Sequence, residues 1–146
     1  MLMDNKYLLG IEELDSQHIA VFAMLGELQT ACAENAAPEM LGSLAKKLAD
    51  YLVAHFDHEE SFMGAINLPD RTEHQQQHRE LVALLGELVA RSDRASTDCN
   101  LERTLLETLS DHLLRYDAKI GEAVEQLIQH LRKHEAAERF LRPGTQ

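Results

Sequence analysis

Five of the eight histidines in the chain fall on apolar helical stripes, where an imidazole is unusual. Each shares its stripe with leucines or phenylalanines at spacings of three, four or seven residues, the period of one helix face. A buried neutral imidazole carries a donor and an acceptor that both need partners. A metal ion takes one ring nitrogen and leaves the other for a second acceptor. The five candidate metal ligands are His18, His55, His74, His78 and His112.

Two carboxylates belong to the same set. Glu59 follows His55 by four residues, so both lie on one stripe, one turn apart. Asp117 follows His112 by five residues, which is about 140° away on an ideal helix. Its membership therefore requires a local distortion or a side chain that reaches across. Five imidazoles and two carboxylates are too many ligands for one ion, but they suit two octahedral ions of iron, manganese or zinc with an open position.

Four amphipathic segments must position these residues. The apolar periodicity predicts helices at about 16–34, 39–66, 70–92 and from 99 to about 120, with Asp15 as the cap of the first. The short links between them favour an all-α fold, an antiparallel up-down four-helix bundle. This bundle is predicted to occupy residues 1–122.

Residues 123–146 keep a helical period through Val124, Leu127, Ile128 and Leu131. They predict a helical C-terminal extension with a frayed end, which either continues the fourth helix or folds back as a fifth. This extension is a candidate surface for a protein partner or for a homodimer.

Composition excludes several classes of partner. The net charge of −11 repels phosphate backbones and anionic lipid, so neither nucleic acid nor a membrane is expected as a partner. No stretch approaches the roughly 18 apolar residues of a membrane span, and the N-terminus lacks the pattern of a signal peptide. These features predict a cytoplasmic location, where Cys32 and Cys99 would be free thiols rather than a disulfide.

Four short pieces carry a family resemblance. They are Asp-Ser-Gln-His at 15–18, His-Phe-Asp-His-Glu-Glu at 55–60, His-Gln-Gln-Gln-His at 74–78, and His-Leu-Leu-Arg-Tyr-Asp at 112–117. In this order, over roughly residues 10–122, they closely resemble the hemerythrin family in its bacterial single-domain form. The resemblance implies a non-haem di-iron centre with a bridging oxo or hydroxo. One iron would take His74, His78 and His112, the other His18 and His55 with a vacant position, and Glu59 and Asp117 would bridge them.

The function implied by this resemblance is reversible dioxygen binding, as hydroperoxide, for delivery, storage or buffering, and not an enzymatic activity. Leu109 and Leu113 would line the oxygen pocket. Thr108 stands where family members often carry an aromatic side chain, so it predicts a more polar or more open pocket and faster autoxidation. One alternative function is an oxygen or redox sensor that signals through the di-iron state. A di-iron oxidase or peroxide-handling enzyme is less favoured, because bundle di-iron enzymes use four carboxylates.

Overall fold

The computed structural model describes residues 4–92 and 99–141, which form helices and contain no strand. A short 3-10 turn, Asn5–Tyr7, precedes the first long helix. A π-turn, Leu113–Asp117, joins the fourth helix to the fifth. The long helices are α1 Glu12–Ala33, α2 Pro38–Ala65, α3 Arg71–Ser92, α4 Asn100–His112 and α5 Ala118–Leu141. The predicted all-α four-helix bundle is confirmed.

The core is built from the apolar stripes of α1 to α4, which contact one another in sequence, with α1 also contacting α4. Leu25, Leu48, Leu85 and Leu105 take part in one continuous cluster and are at most 1% exposed. Burial of each such leucine stabilises the fold by about 1.5–3 kcal/mol. This packing fixes which face of each helix points inward, and so fixes the direction of the histidines on the same stripes.

The start of α1 differs from the sequence prediction. The helix begins at Glu12, so the prediction that Asp15 is its N-cap is wrong. Asp15 lies within the helix, where its two carboxylate oxygens accept hydrogen bonds from the backbone N–H groups of Leu9 and Gly10 at 2.7 and 3.0 Å. The side chain therefore holds the arm that precedes the helix, rather than the helix end itself.

Cys32 and Cys99 form a disulfide, with Cα atoms 6.2 Å apart. The prediction of free thiols is therefore wrong. Cys32 lies near the C-terminal end of α1, and Cys99 directly precedes α4. In an up-down bundle the end of the first helix and the start of the fourth meet at the same end, which brings together two cysteines that are 67 residues apart.

The fourth bundle helix continues through the π-turn into α5 as far as Leu141. The C-terminal extension therefore continues the fourth helix and does not fold back on the bundle. At the bundle end α5 contacts the N-terminal arm closely, and a Cβ on Gly121 would lie 2.7 Å from the carbonyl oxygen of Leu9. All residues at 125–141 are exposed. The predicted frayed end at 142–146 lies outside the described residues. Among residues 4–92 and 99–141, no helix combines the length and apolar composition needed to cross a membrane.

Candidate metal centre

The seven predicted ligands come from all four helices of the bundle and meet in its interior. They are His18 from α1, His55 and Glu59 from α2, His74 and His78 from α3, His112 from the end of α4, and Asp117 from the π-turn. Each is between 0 and 3% exposed. The structure thus brings together every residue that the stripes and the family motifs singled out.

Glu59 lies between two pairs of imidazoles. Its Oε1 is 3.0 Å from Nε2 of His74 and 3.1 Å from Nε2 of His78. Its Oε2 is 3.1 Å from Nε2 of His55 and 3.3 Å from Nε2 of His18. Because each oxygen faces a different pair, the side chain has the arrangement of a carboxylate that bridges two cations.

Asp117 makes a second connection between the same two sides. Its Oδ1 is 2.9 Å from Nε2 of both His74 and His112, and its Oδ2 is 3.2 Å from Nε2 of His18. Among the described residues, this Oδ1 nevertheless has no partner with hydrogen-bond geometry. Short contacts without that geometry are expected when the nitrogen and oxygen atoms of metal ligands point toward a common centre rather than toward one another. A cation at that point would satisfy the buried oxygen.

The π-turn explains how Asp117 reaches the cluster. Five residues along an α-helix would place it about 140° from His112. A π-turn closes with a hydrogen bond to the fifth residue, so that residue takes the place that the fourth has in an α-helix. Asp117 therefore shares the inward face of His112 and is 1% exposed. Of the two routes open to it from the sequence, local distortion is the one that the chain uses.

The ligand atoms form two overlapping groups, and the atoms of each lie within 4.8 Å of one another. Both groups contain Glu59 and Asp117. His74, His78 and His112 complete one group, and His18 and His55 complete the other. We call these the five-donor side and the four-donor side. Mixed imidazole and carboxylate donors suit iron, manganese or zinc, so the cluster is able to bind metal.

The two carboxylates keep their charge despite burial. Burial and the nearby Glu59 oppose ionisation of Asp117, but His112 and His18 outweigh them and lower the pKa of Asp117. Burial also opposes ionisation of Glu59, yet hydrogen bonds from the surrounding histidines hold its pKa well below the usual value. Both groups are therefore anionic at neutral pH, as metal ligands must be.

Protons compensate these two charges in the metal-free chain. Burial disfavours the charged forms of His18 and His74. Close contacts and charge interactions with the carboxylates of Asp117 and Glu59 outweigh burial and raise the pKa of each histidine to about 9. A metal ion would replace those protons, because an imidazole must be deprotonated at the nitrogen that coordinates.

Two residues outside the predicted set contact the ring nitrogens of candidate ligands that face away from the cluster. Oε1 of Gln17 lies 2.6 Å from Nδ1 of His55, and Oε1 of Glu60 lies 2.8 Å from Nδ1 of His78. Such partners fix the ring orientation of a metal-binding histidine. Both lie within the family motifs at 15–18 and 55–60, and this position was the feature of the sequence that could have identified them. Neither lies on an apolar stripe, so periodicity could not find them.

A small cavity of about 10 Å³ adjoins the cluster, close to the space that one water-sized molecule needs. Besides His18, His55, His112 and Asp117, its lining is apolar and consists of Val21, Phe22, Leu52, Phe56, Leu109 and Leu113. The lining thus includes both leucines predicted for a pocket.

Thr108 does not line this cavity. Its hydroxyl donates a hydrogen bond of 2.7 Å to the backbone carbonyl of Thr104 within α4. The expectation that Thr108 makes the pocket more polar is therefore wrong, because the hydroxyl is satisfied on the helix surface. The alternative that Thr108 leaves the pocket more open, and its predicted effect on autoxidation, both stay predictions.

The family model described as "Hemerythrin HHE cation binding domain" matches residues 9–120. The chain belongs to the hemerythrin family. The match covers all seven candidate ligands, and its boundaries follow closely the bundle part of the fold.

Individual proteins that are similar to this hemerythrin-family chain carry hemerythrin names as well. The "Hemerythrin-like protein" of Naegleria gruberi is 32% identical over 79 residues, which are 54% of this chain and 60% of that protein, so the chain spans less than two thirds of its length. The "Bacteriohemerythrin" of Methylococcus capsulatus is 28% identical over 109 residues, covering 73% of this chain and 82% of the relative. The solved structure titled "Crystal structure of hemerythrin:wild-type" is 25% identical with a TM-score of 0.70, covering 77% of this chain and 87% of that one.

Proposed function

We propose that the chain binds two iron ions at this cluster and binds dioxygen reversibly at the four-donor side, for delivery, storage or buffering. The observation that carries the proposal is the unequal division of ligands around Glu59 and Asp117. With a shared oxo or hydroxo bridge, an octahedral ion on the five-donor side would be complete. An octahedral ion on the four-donor side would keep one position open.

The apolar cavity supports the same assignment. It touches both histidines of the four-donor side but only one, His112, of the five-donor side, and its remaining walls include Phe22, Leu109 and Leu113. These side chains are at most 4% exposed, so they exclude water and protons that would displace bound oxygen. The size of the cavity fits a ligand of very few atoms rather than an organic substrate.

The donor set favours a carrier over an enzyme. Bundle di-iron enzymes use four carboxylates with Glu-x-x-His motifs, and no Glu-x-x-His occurs in this sequence. Two carboxylates and five neutral imidazoles stabilise highly oxidised iron less strongly than four carboxylates do. Iron at the cluster would supply the electrons that dioxygen accepts on binding, and recover them on release.

The test is anaerobic reconstitution with ferrous iron, followed by oxygen and visible spectroscopy. We expect about two irons per chain and an absorption band that appears with oxygen and disappears on deoxygenation. His74→Ala combined with His78→Ala should abolish that band, whereas His130→Ala on the exposed part of α5 should leave it unchanged. Immediate, irreversible conversion to a ferric spectrum would contradict the carrier proposal and favour a sensor or an enzyme.

A further inference from the structure

Two hydrogen bonds and one ion-pair contact lead from His55 to the protein surface. Nδ1 of His55 lies 2.6 Å from Oε1 of Gln17, and Nε2 of Gln17 lies 2.9 Å from Nδ1 of His58. Nε2 of His58 lies 3.3 Å from Oε1 of Glu13, whose side chain is 72% exposed. His58 thus connects α1 to α2 and contacts a neighbour of a candidate ligand.

The donors and acceptors of these contacts fit in one direction. Nε2 of His55 faces Glu59 and His18 inside the cluster, so the neutral ring carries its proton on Nδ1 when Nε2 coordinates. That proton must be donated to the amide oxygen of Gln17. The amide nitrogen then donates to Nδ1 of His58, and Nε2 of His58 lies within ion-pair distance of the Glu13 carboxylate. In the reversed orientation the amide nitrogen of Gln17 would face the Nδ1–H of His55, donor against donor, so the His55 contact fixes the orientation of the amide.

The corresponding position behind the five-donor side is chemically different. There Nδ1 of His78 faces Oε1 of Glu60 at 2.8 Å, and that carboxylate attracts the ring proton more strongly than an amide oxygen does. A ring whose proton is held by a carboxylate is a more basic ligand. Gln17 is neutral, so His55 stays a weaker electron donor than His78.

We infer that Gln17 is a positioning residue for His55, which orients the ring and keeps the four-donor side less electron-rich than the five-donor side. The inference deepens the proposed function and rests on it, because a less electron-rich iron at the open side remains ferrous more easily. The alternative is that Gln17 merely satisfies a buried ring nitrogen. The two interpretations differ in what happens when its amide is replaced by a carboxylate.

The first experiment uses Co²⁺ as the probe, since its uptake does not depend on oxygen chemistry. Gln17→Ala should weaken one of two cobalt sites by about 10–100-fold in competition with a chelator, the usual effect of removing such a partner, and leave the other site unchanged. Gln17→Glu retains an acceptor and should restore the affinity. Ser16→Ala is the matched control, because Ser16 is exposed on the same turn and its hydroxyl donates a hydrogen bond to the backbone carbonyl of Glu12.

The second experiment measures midpoint potentials in the iron-loaded chain. Gln17→Glu should shift one potential downward and speed autoxidation, and Glu60→Gln should shift the other potential upward. Unchanged cobalt affinity in Gln17→Ala, unchanged potentials in Gln17→Glu, or a wild-type chain that takes up no cobalt would each overturn the inference. If the cobalt and potential shifts occur but oxygen binding is irreversible, the proposed function fails while the role of Gln17 stands.

Discussion

The π-turn predicts that the fourth bundle helix tolerates the loss of one residue at that point. Leu114 is 46% exposed and belongs to the five residues of the turn. Its deletion would leave Asp117 four places after His112, within about 40° of the same face of an α-helix. The deletion removes the one residue that the π-turn has in excess of an α-helical turn. Asp117 and the buried Ile120 that follows it therefore keep their inward direction.

The matched control is deletion of Glu107, an exposed residue within the regular part of α4. Removing one residue there rotates the two parts of the helix by about 100° relative to each other. Leu101 and Leu105 would then turn away from the core while Leu109 stays. At about 1.5–3 kcal/mol for each buried leucine, the free energy of unfolding should fall by about 3–6 kcal/mol. Deletion of Leu114 buries or exposes no core side chain and should cost about 1 kcal/mol or less.

Chemical denaturation of both deletion variants, together with metal uptake, measures these differences. We expect the variant lacking Leu114 to keep most of its stability and both metal sites. The variant lacking Glu107 should lose about 3–6 kcal/mol of its free energy of unfolding, because two core leucines leave the core. Equal destabilisation of the two variants would refute the reasoning. So would a stable variant without Leu114 that binds only one metal, since Asp117 would then need the π-turn for more than its direction.

Three further predictions concern the cavity, the metal-free cluster and the disulfide. Leu113→Ala should enlarge the cavity, destabilise the fold by about 2–5 kcal/mol and speed autoxidation at unchanged iron content, whereas Leu114→Ala next to it should not change that rate. In the metal-free chain, protonation of His18 and His74 stabilises the fold fully below pH 6.5, and this contribution is lost as the pH rises through about 9. The melting temperature of the metal-free chain should therefore fall between pH 6.5 and 9. A melting temperature that does not change over this range would show that these two histidines are not protonated in the folded chain. Reduction of the disulfide should lower the free energy of unfolding by about 2–4 kcal/mol, because the bond closes a long loop, and an unchanged denaturation midpoint would argue against it.

The sequence predicts the bundle and six of the seven clustered ligands, because burial of an apolar stripe determines where every residue on that stripe points. Asp117 required either the family motif or the structure, because no periodicity announces a π-turn. Gln17 and Glu60 were missed for another reason. They lie beside the stripes, and their partners depend on how far one helix is shifted along its neighbour. That shift is set by packing between helices and leaves no mark in a single sequence.

The cysteine pair was mispredicted for a different reason. The predicted up-down topology already places the end of the first helix beside the start of the fourth, but the prediction was made from compartment chemistry, which gave free thiols. The bundle topology decides otherwise, by placing the end of α1 beside the start of α4. Thr108 is a related case, since its hydroxyl bonds within its own helix and not toward the cavity.

The disulfide also determines how a gas molecule can reach the cavity. The cavity lies among α1, α2 and α4, which the link at 34–37 and the Cys32–Cys99 bond fasten together at one end. His18 is 14 residues before Cys32, so a metal in the cluster would fasten the same helices about 21 Å away. Helices held at both ends cannot part to admit a ligand. On the proposed function, a ligand would then pass between them through rotamer changes of side chains such as Phe22 and Leu109. The rate of oxygen uptake would depend on a few side chains rather than on motion of the whole bundle.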